Sequence, residues 1–180
     1  MTLKGILAMT PTSIKTPREF FDHLVEKDVT EFIKNPNDLR IAYHACTSLL
    51  SLRDWVVHEH ANKPWAHSGT SQVLFSTTGG LQSALEEIDR RFAIITDIAN
   101  ASKHMVLDPK RKQRTNLWGA ANTAVMTIGG PVGAAPVGAT PVAGSVSSIM
   151  VEINHTYHCV LECVIAGRGI WRTLMTENTW

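Results

Sequence analysis

The sequence predicts a mainly α fold, a helical bundle of about four helices with a β-hairpin inserted before the last helix. Three observations lead there. Apolar residues recur at intervals of three and four through long stretches, the spacing of one face of a helix that turns about 100° per residue. Residues of β character gather in two short runs, Val125-Met126-Thr127-Ile128 and Ile149-Met150-Val151-Glu152-Ile153, which end strands expected over 116–128 and 146–153. Between them three five-residue copies starting at Pro131, Pro136 and Pro141 carry Pro and Gly at a density that excludes both helix and regular ladder.

Length and composition fit a single domain over 1–180, with 1–15 as an N-terminal arm and 129–145 as a flexible hairpin tip. The 180 residues can bury a real core, and 44% apolar with 18% charged residues is ordinary for a globular chain. A net charge of +1 gives no global attraction to nucleic acid or to a membrane surface. Cys46, Cys159 and Cys163 are odd in number and lack zinc-finger spacing, so reduced buried thiols are expected rather than a disulfide framework or a structural zinc site. The apolar run near the N-terminus is too brief for a signal peptide, and no run reaches a membrane span, which makes the cytoplasm the expected location.

Taken in order, Thr16 caps a first helix, with Pro17 at its first position and Glu19 completing a capping box. Phe20, Phe21, Leu24, Val25, Val29, Phe32 and Ile33 form its apolar face until Pro36 ends it. Asn37 or Asp38 caps a longer helix reaching about Ala61, apolar through Ala42, Ala45, Cys46, Leu49, Leu52 and Val56. Its other side carries Arg40, His44, Thr47, Ser51, Asp54 and His58. Arg53 falls on the apolar side, so its guanidinium needs a carboxylate partner or a cleft. Segment 62–79 reads as a connection in which Trp65 and His67 line a site or anchor the loop. Gly80 to Leu107 reads as one long helix, and a last helix is expected from about Thr156, through Val160, Leu161, Val164, Trp171, Leu174 and Met175.

The chemistry-bearing residues concentrate at the end of the Gly80 to Leu107 stretch. Seven-residue spacing lines up Arg90, Asp97 and His104 opposite the apolar face, with Glu86 and Asn100 nearby, while Lys103 offers a positive charge at a different angle. Lys110, Arg111, Lys112 and Arg114 follow and could touch phosphates. No cofactor is expected: neither a Gly-Lys-Ser/Thr phosphate loop nor a GxGxxG helix start occurs, and a GxSxG elbow is missing. One metal alternative exists, since Asp54 with His58 and Asn100 with His104 each stand four apart and together offer a carboxylate, an amide and two imidazoles.

A helical bundle whose long helix ends in a polar cluster closing with His resembles the HEPN superfamily, small helical domains of prokaryotic toxins, antiviral effectors and nucleotidyltransferase partners. The match covers chiefly Asp38 to Leu107. The resemblance implies metal-independent RNA cleavage by an Arg and a His at a dimer interface, with His104 in the His place. The positions five, six and seven before it hold Ala99, Ile98 and Asp97 instead of Arg, and Asp97 would repel the phosphate that Arg should hold.

Three readings follow. The leading one is a non-catalytic interaction module of HEPN-like type, joining a second copy or a protein partner through polar helix faces. The next is an endoribonuclease or RNA-binding protein in which His104 transfers protons, Asn100 and Lys103 orient or neutralise phosphate, and the 110–114 run adds attraction. The last is a metal-dependent hydrolase on Asp54, His58, Asn100 and His104.

Overall fold

A computed structural model describes residues 13–65, 75–102, 123–128, 146–178 and 180, with 123–128 and 146–147 given as backbone only. The 129–145 tip and most of the 1–15 arm lie outside the described residues. The chain is mainly helical, and its antiparallel strands stand before the last helix as expected.

The first rod begins where the sequence says it should. Thr16 Oγ1 accepts the Glu19 N–H at 3.1 Å while the Glu19 carboxylate accepts the Thr16 N–H at 3.3 Å, and Pro17 takes the first turn of α1 (Pro17–Phe20). A π-helical turn over Phe21–Val25 then leads into α2 (Glu26–Lys34) without a break. That wider turn advances the helix phase, so Phe21, Val25, Val29 and Phe32 are buried while Leu24 and Ile33, expected on the same face, are largely exposed. Asp38 Oδ1 accepts the Ile41 N–H at 3.1 Å and starts α3 (Leu39–His60). The two rods are antiparallel: Phe20 meets Trp55 with ring centroids 5.1 Å apart, and Glu31 meets Arg40 at 4.0 Å.

The long helix expected over 80–107 is two helices, α4 (Thr78–Ile88) and α5 (Arg91–Ala101). The cause is Asp89, whose carboxylate accepts the Arg91 N–H at 2.9 Å and pairs with the Arg91 guanidinium at 2.6 Å. Such a short side-chain bond to nearby backbone competes with the helical ladder, and Asp89 itself adopts an extended conformation. The direction changes there, and α5 enters the core: from Phe92 to Ala99 every residue is buried, as is Ala101. A helix sheltered on all sides has no solvated face.

The sheet runs β1 (Thr123–Ile128), β2 (Val146–Ile153), β3 (Thr156–Cys159), in that spatial order and antiparallel throughout. Thr123 stands opposite Val151 and Ile128 opposite Val146; Met150 stands opposite Cys159 and Ile153 opposite Thr156. Asn154 and His155, with φ of 51° and 61°, make the two-residue turn that favours a tight hairpin. Pairing with β2 holds 156–159 extended, so the last helix starts later than expected, as α6 (Val160–Glu177). On α6, Trp171 is fully buried and donates from Nε1 to the Leu49 carbonyl at 3.0 Å. Gly167 lies against α5 and α3, where a Cβ would stand only 2.5 Å from Ile95 Cδ1 and 3.5 Å from Leu49 Cδ1. Glycine therefore permits the close approach. No helix among the described residues is long and apolar enough to cross a membrane.

Candidate functional site

The end of α5 carries the described part of the expected polar constellation. Asp97 is 6% exposed and Thr96 2%, and the Thr96 Oγ1 atom is buried without a hydrogen-bond partner. Asn100 is half-buried, and the Ser102 hydroxyl donates to the Ala99 carbonyl at 2.7 Å. The stripe expected to face solvent is therefore packed inside at Asp97, because α5 occupies the middle of the bundle, while Arg90 at its start is exposed. Lys103, His104 and the basic residues Lys110, Arg111, Lys112 and Arg114 lie outside the described residues. Arg90, placed on the same stripe by spacing, sits at the joint between α4 and α5.

On α3 the polar face is where the pattern puts it. Arg40, His44, Asp54 and His58 are exposed, with Thr47 and Ser51 half-buried between them. The Asp54 carboxylate holds Arg53 through Oδ1, at 3.1 Å from Nε and 3.0 Å from Nη2. The Arg53 side chain is only 17% exposed, and its Nη1 donates to Gln82 Oε1 on α4. Gln82 in turn donates to Glu86 Oε1 at 2.9 Å. The guanidinium at the edge of the apolar face is thus bound into a network joining α3 to α4, the structural role its position demands. Asp54 and His58 are accordingly surface groups of α3, while Asn100 belongs to buried α5. Among the described residues, no three His, Cys, Asp or Glu side chains come together as metal ligands.

All three cysteines gather where α3, α6 and the sheet meet. Burial pushes the Cys163 thiol up to about 12, with Cys159 adding to it, and Cys46, buried entirely, is pushed higher still, with Cys163 adding to it. Both are protonated and inert at neutral pH, as their place in apolar helical patterns implies. Cys159 differs: it ends β3, caps α6, is half-buried, and lies 3.3 Å from the Ser148 hydroxyl. Close by, hydrogen bonds from Arg91 hold the Asp89 carboxyl below its ordinary value, and Asp89 in turn raises Arg91.

Sequence reasoning missed one cluster. Trp180 stacks on His60 with centroids 5.2 Å apart and on Trp65 at 6.0 Å, and Phe75 closes the group edge-on. Trp65 is buried, and its Nε1 and the His60 Nε2 are buried without hydrogen-bond partners. Burial lowers the His60 pKa, Glu59 raises it and Lys63 lowers it, so the imidazole is neutral at pH 7. Trp65 anchors the connection to the bundle end, the plainer of its two expected roles.

No family model, no curated protein and no solved structure matches this chain.

Proposed function

We propose that this chain is a non-catalytic helical interaction module of HEPN-like type, which associates through a polar helix face with a second copy or a protein partner. The observation that carries the proposal is the contrast between its two polar stripes. The α5 stripe, the one with catalytic potential, is buried at Asp97, where a polymeric substrate has no access. The α3 stripe is exposed at Arg40, His44, Asp54 and His58 and half-buried at Thr47 and Ser51 between them, while the opposite face of α3 forms the core. A rigid, core-anchored helix that offers one polar face suits recognition without chemistry, because little ordering entropy is lost on binding.

The test sets this reading against the ribonuclease alternative. Purified wild-type protein and a His104→Ala variant are incubated with a labelled mixed-sequence RNA in chelator at low salt, scoring cleavage and retention. The interaction module leaves the RNA intact and unretained in both cases. Cleavage that resists chelator and disappears in the variant would overturn it in favour of an endoribonuclease using His104.

A further inference from the structure

Separate parts of the chain meet on one ring. Trp180, beyond the end of α6, lies nearly parallel to His60 in the last turn of α3, at 15° and with centroids 5.2 Å apart. It is tilted by 30° from Trp65 at 6.0 Å, and Phe75 meets it edge-on at 6.3 Å. A backbone bond from the Trp180 N–H to the Met175 carbonyl, at 3.2 Å, ties it to α6. The stack closes over His60: its side chain is only 12% exposed, and Nε2 is buried with no hydrogen-bond partner. We infer that His60 is a pH-sensitive switch for this contact, holding Trp180 against the end of the bundle while the imidazole is neutral and releasing it when the ring takes up a proton. The switch lies apart from the α3 stripe and does not rest on the reading of the protein as an interaction module.

The geometry sets the direction of the effect. A neutral imidazole can leave Nε2 as a bare acceptor, but an imidazolium carries an N–H on both nitrogens, and in the stacked state the one on Nε2 has nothing to donate to. Attraction of an imidazolium for the indole face opposes release, yet it does not replace the hydration that a sealed, charged N–H loses. Glu59 on the same helix places Oε1 3.9 Å from Nε2, beyond hydrogen-bond reach, and is 42% exposed. A protonated ring that swings outward therefore meets both a carboxylate and water, and in doing so leaves the stack. Lys63, just past the end of α3, opposes a positive charge at His60, while Trp180 and Phe75 present uncharged rings; Glu177, the acid next to Trp180 along the chain, is exposed. Burial, joined by Lys63, outweighs Glu59 and holds the stacked His60 below the ordinary value of 6.5. A released His60 titrates near that ordinary value, so the stack is favoured in full above 6.5 and weakens as pH falls through the lowered one.

The emission of Trp180, taken as the difference between wild type and Trp180→Phe, tests this in a titration from pH 8 to pH 5. Below 6.5 it should shift to the red and open to a soluble quencher while far-ultraviolet circular dichroism stays constant. In His60→Gln it should not respond to pH over the same range. A second reading leaves His60 in place: linkage is reciprocal, so Trp180→Ala should raise the His60 pKa toward 6.5, followed by the proton resonances of its imidazole. Should His60→Gln free Trp180 at every pH, the resonance measurement decides. Emission indifferent to pH, a transition that persists in His60→Gln, release that comes only with loss of circular dichroism, or the same His60 pKa with and without Trp180 would each overturn the inference.

Discussion

Gly167 and Gly169 lie two residues apart in α6 and should respond to alanine with different outcomes. In a helix interior, alanine is favoured over glycine by about 0.8–1 kcal/mol. At Gly169, which is exposed and has nothing within 4 Å of an added Cβ, that gain should appear nearly whole. At Gly167 the new methyl would stand 2.5 Å from Ile95 Cδ1 in a region where Ile95, Leu49 and Trp171 are all fully buried. Overpacking of that kind costs about 1–3 kcal/mol. Because the propensity gain is common to both sites, the difference between the two variants isolates the packing cost, about 1–3 kcal/mol. Urea unfolding followed by circular dichroism measures both midpoints. Ile95→Val removes the obstructing Cδ1, so it should cost about 0.5–1.5 kcal/mol alone and little or nothing in the Gly167→Ala background. Equal stabilisation by Gly167→Ala and Gly169→Ala, or strict additivity with Ile95→Val, would refute the close approach of α6 to α5.

Three other outcomes are expected. Under native conditions a maleimide should label Cys159 well before Cys163 and Cys46, since at pH 8 a thiol with a pKa of about 12 is thiolate in only about one molecule in 10⁴; a Cys159→Ser variant that keeps the fast phase would contradict this. His60, with its pKa lowered by burial, is neutral in the fold but takes up a proton when unfolded, so its contribution to stability is present above the ordinary value of 6.5 and is lost as pH falls through the lowered folded value. Wild-type stability should therefore drop more steeply than that of His60→Gln below pH 6.5, and parallel pH profiles would rule the effect out. Finally, Thr16→Ala removes the side-chain half of the capping box and should cost about 1 kcal/mol by urea titration; no change would mean that the first turn is held by packing alone.

Much of the fold was legible because it rests on local rules. The Thr16 and Asp38 caps, the core face of α3 and the strands before the last helix each follow from short spacing patterns and from residues within a few positions of each other. The misreadings arose where a particular bond overrode the pattern. Asp89 binds the Arg91 backbone and divides a stretch whose apolar periodicity continues across it. Thr156 to Cys159 would continue the last helix by composition, but strand pairing with β2 holds them extended. At the start of the chain, one π-helical turn moves Leu24 off the face that 3.6-residue spacing assigns to it.

The candidate site was harder to read because a polar stripe has the same period whether it faces water or the core. The stripes on α3 and α5 differ in what packs around them. On α3 the positions from Arg40 to His58 at stripe spacing are all polar, and Arg40, His44, Asp54 and His58 are exposed. On α5, Ile94 and Ala101 flank Asp97 on one side while Arg90 and Asn100 continue the polar stripe on the other, yet Asp97 is buried. The spacing alone does not tell an enclosed helix from a solvated one; the burial of Asp97 comes from α3, α4 and α6 packing around α5. Burial of that carboxylate places α5 at the centre of the bundle, whereas α3 carries the charged members of its stripe at the surface. The helix read as the functional centre organises the bundle, and the exposed charged groups lie on the one packed against it.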